Sequence, residues 1–204
     1  MSESITLTQT NIVKSENTIN GGGNQLPPHE IYDLVSPKNE ILYKKIDNFD
    51  FTNPPIDPVY LGNSLLATMI KHEGLGLSAN QCGLPYRVFV MRNEQHPIVF
   101  NPKIIDIGDE EVLLDEGCLS YPFLFVPIKR SKNIKVRFAD ALGNVTTEKY
   151  TGMTARCFLH EYDHLEGINF TQRASKFHLQ RAKRNQEKIK RRMKPSKRQF
   201  SEAN

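Results

Sequence analysis

The stretch MTARCFLHEYDHL, Met153 to Leu165, ends on His160-Glu161-Tyr162-Asp163-His164. It reads as a helix, and two histidines four apart on a helix stand one turn above each other on a single face. Both imidazoles can then reach one metal ion. Glu161 would sit beside that ion, placed to take a proton from a water rather than to ligate. Two helix histidines can also fall at this spacing with no ion between them, so the pattern calls for a third ligand.

A tetrahedral catalytic site takes three protein ligands and keeps one position open. The metzincin pattern wants a histidine at position 170, which is Phe170; a thermolysin-like arrangement wants a downstream glutamate, and Glu187 lies in a strongly basic stretch. Upstream, Cys118 stands within Glu116-Gly117-Cys118-Leu119-Ser120, just after an apolar run. A thiolate is a strong ligand for Fe(II) or Zn(II), although a cysteine there also reads as a small buried residue. The segment Gly74-Leu75-Gly76-Leu77-Ser78-Ala79-Asn80-Gln81 adds two glycines that permit close backbone approach to a ligand. It also supplies Gln81, whose amide can donate to developing negative charge. Out of context it is a helix-ending glycine loop.

In this order, the three segments resemble the signature motifs of peptide deformylases, G-x-G-x-A-A-x-Q, E-G-C-L-S and H-E-x-D-H. The resemblance runs from Asp33-Leu34-Val35-Ser36-Pro37 to about Arg173. It departs at Ser78, where the motif carries alanine, a small-for-small change that adds a hydroxyl. The segment from Tyr121 to Pro127 is also shorter than in many bacterial members and lacks the arginine often carried there. The resemblance implies that Cys118, His160 and His164 hold one divalent ion, Fe(II) by family precedent, with Zn(II), Ni(II) or Co(II) as substitutes. It implies that Glu161 carries the proton, and that the oxyanion lies against the Gln81 amide and the Leu119 backbone N–H. The substrate backbone would add alongside Leu75, Gly76 and Gly117, with Cys157 in an apolar pocket for the methionine side chain. The implied substrates are formyl-Met nascent peptides, which lose the formyl group as formate. A basic C-terminal helix further resembles the element by which bacterial-type members dock at the ribosome.

The remaining residues bound this reading. At 204 residues the chain suits one domain plus tails: a polar arm over 1–30, a catalytic domain over 31–172, and a basic helix and tail over 173–204. No run approaches the ~18 apolar residues of a membrane span, and the N-terminus has no signal core. The three cysteines, Cys82, Cys118 and Cys157, do not suit a disulfide framework, so a reducing, cytoplasmic setting is expected. Twelve of the 27 basic residues fall between Arg173 and Arg198, leaving 15 basic against 21 acidic residues before them; the basic pI describes the tail alone.

Leu61, Leu65, Leu66, Met69 and Ile70 predict a helix over about 58–72. Strands are expected at Arg87–Met91, Ile98–Phe100, Val112–Leu114, Ile134–Phe138 and Thr146–Tyr150, with a turn at Leu142-Gly143-Asn144. A solvent-facing helix follows from Ser175 to Met193. The fold class is α+β, with antiparallel or mixed sheets around the central motif-bearing helix and a basic C-terminal helix. Two other readings fall short. A zinc endopeptidase lacks its third ligand at 170, and a nucleic-acid-binding module with a closed structural metal lacks a fourth ligand and leaves Glu161 idle.

Overall fold

The computed structural model describes residues 29–193; most of the polar arm, and the tail from Lys194 onward, lie outside the described residues. Three α-helices, α1 (Pro58–Lys71), α2 (Gly152–Leu165) and α3 (Lys176–Met193), accompany seven strands. The strands are β1 (Gly76–Ser78), β2 (Val88–Met91), β3 (Ile98–Ile107), β4 (Glu111–Glu116), β5 (Val126–Ser131), β6 (Asn133–Ala139) and β7 (Val145–Thr151). They form a five-stranded sheet ordered β1-β2-β3-β6-β7 and a two-stranded sheet of β4 and β5. Every pairing is antiparallel, so the α+β expectation is met in its antiparallel form.

The large sheet is sandwiched between α1 and α2, and alternation along β2 shows how. Val88 and Val90 join Leu61, Leu65 and Met69 of α1; Phe89 and Met91 join Ala155, Phe158 and Leu159 of α2. A central strand covered on both faces is apolar throughout, and all four residues of β2 are buried. A third cluster packs Leu124, Val126 and Ile128, on the small sheet's side of the molecule, against Ala182 of α3 and against Phe170 in the 3-10 turn that precedes that helix. The segment before α1 is strapped across these layers by Tyr32 N–H to Thr68 Oγ1, Val35 N–H to Gln81 O, and Ile46 N–H to Leu165 O.

Three expectations need correction. The glycine segment 74–81 is not merely a loop: it contains the edge strand β1, followed by a 3-10 turn over Ala79–Cys82. β5 was not expected as a strand, because Pro127 and charged Lys129 and Arg130 interrupt its apolar pattern. A two-stranded ladder tolerates a proline, and the Arg130 side chain turns inward. β3 runs on to Ile107, past irregularities after Phe100 and after Ile104. At the first of these Asn101 takes φ 48°, and its side-chain amide clamps both the N–H and the carbonyl of Phe49.

Helix ends place the site. Beyond α2, Ile168 N–H reaches Asp163 O at 2.9 Å and Gly167 N–H reaches His164 O at 3.2 Å, a Schellman stop with Gly167 at φ 71°. A Cβ on Gly167 would lie 2.8 Å from backbone atoms of Tyr43 and Lys44. α1 stops in the same way, but there Glu73 takes the positive φ and Gly74 N–H bonds to Met69 O. Gly74 is small for a different reason, since a Cβ would sit 2.9 Å from the Leu119 side chain. Gly167→Ala therefore combines left-handed strain with a backbone clash. It is expected to cost about 2 kcal/mol or more, read as a lowered midpoint in thermal unfolding.

Candidate active site

His160 and His164 project from the inner face of α2 with ring centroids 5.1 Å apart. β4 delivers Glu116, Gly117 and Cys118 opposite them. The Cys118 Sγ lies 3.2 Å from His164 Nε2, and one ligand atom from each of Cys118, His160 and His164 falls within 4.8 Å of the others. This thiolate and two imidazoles form a donor set suited to a single borderline-soft divalent ion.

Glu116 holds the set in place. Its Oε2 takes the Nδ1–H of His160 at 3.0 Å, which turns Nε2 toward the site, a carboxylate–histidine support common behind metal ligands. The same carboxylate accepts Arg130 Nε at 2.7 Å and Nη2 at 3.0 Å, and Arg156 Nη1 at 2.7 Å. Arg130 continues to Asp163 Oδ2 at 2.7 Å, and Arg173 binds Oδ1 of Asp163 at 2.6 Å. Burial raises the Glu116 pKa, but the hydrogen bonds from His160 and Arg130 outweigh it and take the carboxyl down to about 2.

Cys118 and the two histidines also act on one another electrostatically. Burial pushes the Cys118 thiol up, yet the charge on His164 and hydrogen bonding to both imidazoles reverse this and hold it well below the usual thiol range. Burial works against charge on His160, but bonds to Cys118 and Glu116 raise the imidazole to about 10. A cation bound at these residues would favour the thiolate in the same sense.

Above the Cys-His-His cluster lies a cleft of about 620 Å³. Its lining includes Leu75, Gly76, Gln81, Gly117, Cys118, Leu119, Cys157, His160 and Glu161. His164 completes the donor set beneath, so every site residue expected from the sequence is brought together here. Gln81 Nε2 points to Cys118 Sγ at 3.4 Å and Ser120 Oγ at 3.0 Å. Glu161 is buried, and burial raises its carboxyl above the ordinary value, with Cys118 adding to the rise and the two histidines opposing it. The Leu75 carbonyl already accepts the Arg92 N–H at 2.8 Å and the Cys157 thiol at 3.3 Å, so the residue meets the cleft chiefly through its side chain, 58% exposed.

The sequence reading gave no role to Arg130, Asp163, Arg156 or the Glu116 side chain. One signal for them existed: Val126, Ile128 and Arg130 share the inward face of β5, and an arginine on an apolar face requires a buried acid. The exposed apolar rim of Phe123, Phe125 and Met153 was also not anticipated.

An α+β scaffold that holds a Cys-His-His donor set, a buried carboxylate and an amide donor around one cleft is that of a metal-dependent hydrolase. Comparison with known proteins narrows the class. A family model described as polypeptide deformylase matches residues 31–180, and the chain belongs to the peptide deformylase family. It is 37% identical over 171 residues to a peptide deformylase of Wolbachia pipientis wMel, covering 77% of this chain and 94% of that protein. The crystal structure of peptide deformylase from Thermotoga maritima superposes with a TM-score of 0.64 at 36% identity, covering 72% of this chain and 99% of that one. The Ehrlichia chaffeensis peptide deformylase in complex with actinonin gives 0.68 at 34% identity, covering 81% and 99%.

The Glu116 charge network carries a pH signature. With its folded pKa near 2 against an ordinary 4.5, its stabilisation is complete above pH 4.5 and is lost as pH falls through about 2. By ~1.4 kcal/mol per unit this amounts to about 3 kcal/mol. Glu116→Gln, which leaves two buried arginines under-compensated, is expected to cost about 3–5 kcal/mol at pH 7. The deficit should shrink between pH 4.5 and 2, as measured by denaturant unfolding of metal-free protein.

Proposed function

We propose that this chain hydrolyses the N-formyl group from the N-terminal formylmethionine of nascent polypeptides, leaving a free amine and formate. The observation that carries this reading is the meeting of Cys118, His160 and His164 with Glu161 and Gln81 in one cleft that opens beside the edge strand β1. Fe(II) is the proposed ion, with Zn(II), Ni(II) or Co(II) able to substitute, since a thiolate and two imidazoles suit all four. When bound at these residues, the ion supplies Lewis-acid activation of water and polarisation of the formyl oxygen.

The chain's own groups do the rest. An incoming substrate strand pairs along the open edge of β1 at Gly76, opposite Gly117, and the methionine side chain enters the apolar part of the cleft at Cys157. A water attacks the formyl carbon, and Glu161 accepts its proton; the raised affinity of this buried carboxylate suits a group that must take up a proton and give it back. As the C–N bond breaks, Glu161 passes that proton to the amine nitrogen. The Gln81 Nε2–H and the Leu119 N–H donate to the oxyanion of the tetrahedral intermediate. Loss of one such donor costs about 3–4 kcal/mol of transition-state stabilisation.

The reading extends to α3. Its apolar side, Leu179 and Ala182, packs with Leu124, Val126 and Ile128, and Gln186 Nε2 donates to Pro122 O at 2.8 Å. Its Lys183, Arg184, Lys188, Lys190 and Arg191 face outward, all exposed. Such a cationic face attracts the RNA phosphate that covers a ribosome, which would concentrate the enzyme at its substrate in the cytoplasm. Removing the chain after Gln172 would strip the packing from Leu124 and Ile128, so charge reversal is the cleaner test of this role.

Two experiments decide. Glu161→Gln should keep its metal but lose nearly all formate release from a formyl-Met tripeptide; turnover near that of the unmodified protein sinks the assignment. Lys183→Glu, Lys190→Glu and Arg191→Glu together should leave peptide kinetics within about twofold while abolishing salt-sensitive ribosome binding in co-sedimentation. Undiminished binding at low salt rejects the docking role.

A further inference from the structure

Ser78 is where the first signature segment departs from the family pattern, and its hydroxyl has found a partner. The side chain is wholly buried. Its Oγ lies 2.8 Å from Oε2 of Glu161 and 3.1 Å from the Glu161 carbonyl oxygen. A serine hydroxyl has one proton to give, and the shorter approach to a charged acceptor takes it. Among the described residues this is the one side-chain hydrogen bond that the Glu161 carboxylate makes.

The rest of the carboxylate is fixed by shape. A Cβ built on Gly76 would lie 2.5 Å from Glu161 Oε1 and 2.8 Å from its Cδ and Cγ, so the glycine backbone forms a wall against that oxygen. The Ser78 main-chain N–H also donates to Gln81 Oε1 at 2.9 Å. With its oxygen held, the Gln81 amide can turn only its nitrogen toward Cys118 and Ser120. One residue of β1 thus orients two functional side chains, Glu161 through its hydroxyl and Gln81 through its backbone.

We propose that Ser78 is a positioning residue: its hydroxyl pins Oε2 of Glu161 and leaves Oε1, against Gly76, as the oxygen that exchanges the proton. The proposal rests on the deformylase reading of the site. Three side-chain torsions separate a glutamate carboxylate from its backbone, and holding them in one setting removes a search that each turnover would otherwise repeat. A shift of about 1 Å in a group that must meet a reacting atom can cost ~100-fold. Alanine at 78 would keep the Gly76 wall and the backbone bond to Gln81, so a smaller loss is expected.

Ser78→Ala tests this, because alanine is the residue that the family motif carries at this position and leaves the fold intact. The expected result is a fall of about tenfold in kcat on a formyl-Met tripeptide, with KM within about twofold and metal content per chain unchanged. A crystal structure of the variant should show the Glu161 carboxylate rotated or in more than one orientation. A kcat within twofold of the unmodified protein overturns the proposal, as does a loss carried by KM, or a Glu161 carboxylate that keeps its single orientation. Absence of formate release from the unmodified protein would count against the deformylase reading instead, and the orientation of Glu161 in the variant would still decide the role of Ser78.

Discussion

The carboxylate of Glu116 is the constraint on which the site depends. It is buried, and a buried charge is tolerated only when paired and hydrogen-bonded. Its partners arrive from two directions, Arg130 from β5 and both Arg156 and His160 from α2. Glu116 is also the last residue of β4 and leads directly into Gly117 and Cys118. Satisfying one charge therefore brings the strand carrying the thiolate to the helix carrying the imidazoles. Arg130 then ties the same network to Asp163, one residue before His164 on the motif helix.

Around that knot the two sheets divide the labour. The five-stranded sheet, apolar on both faces at β2, supports α2 from behind and offers β1 as an unpaired edge beside the cleft. The end of β4 and the segment from Gly117 to Phe125 form the opposite wall, with Phe123 and Phe125 exposed at its lip, and α3 packs behind Leu124, Val126 and Ile128 without entering the cleft lining. α2 ends at Leu165, one residue after His164, and the Gly167 stop sends the chain back past Tyr121, whose hydroxyl accepts from Asn169 and meets that of Tyr43. Both histidines thus sit near a helix end tied on each side.

Much of this was legible because its chemistry is local in sequence. The i, i+4 histidines need only a helix, and Leu61, Leu65 and Met69 mark α1 by spacing alone. Cys118 offers itself as a third donor once one is sought beyond the histidine pair, although its choice over Glu187 leans on family resemblance. What escaped was decided by distant partners. Arg130 shows no partner in the sequence, since Glu116 and Asp163 meet it only through the fold, and the charges at Lys129 and Arg130 break the apolar pattern that would mark β5. The three-residue strand β1 shows too little alternation to stand out, and pairing with β2 makes it a strand. The tail helix was recognisable as cationic, but Leu179 and Ala182 gave too narrow a stripe to reveal that it is seated on Val126 and Ile128.

Gly76 shows where such a site is fragile. It has no side chain to donate, accept or ligate, yet any Cβ there would enter the space of the Glu161 carboxylate. A functional group can often be replaced by another that does part of its work, whereas nothing larger than a hydrogen atom can stand in for empty space. Tolerance to substitution should therefore be as low at this glycine as at the glutamate it faces, and a scan that ranked positions by their chemical groups would overlook it.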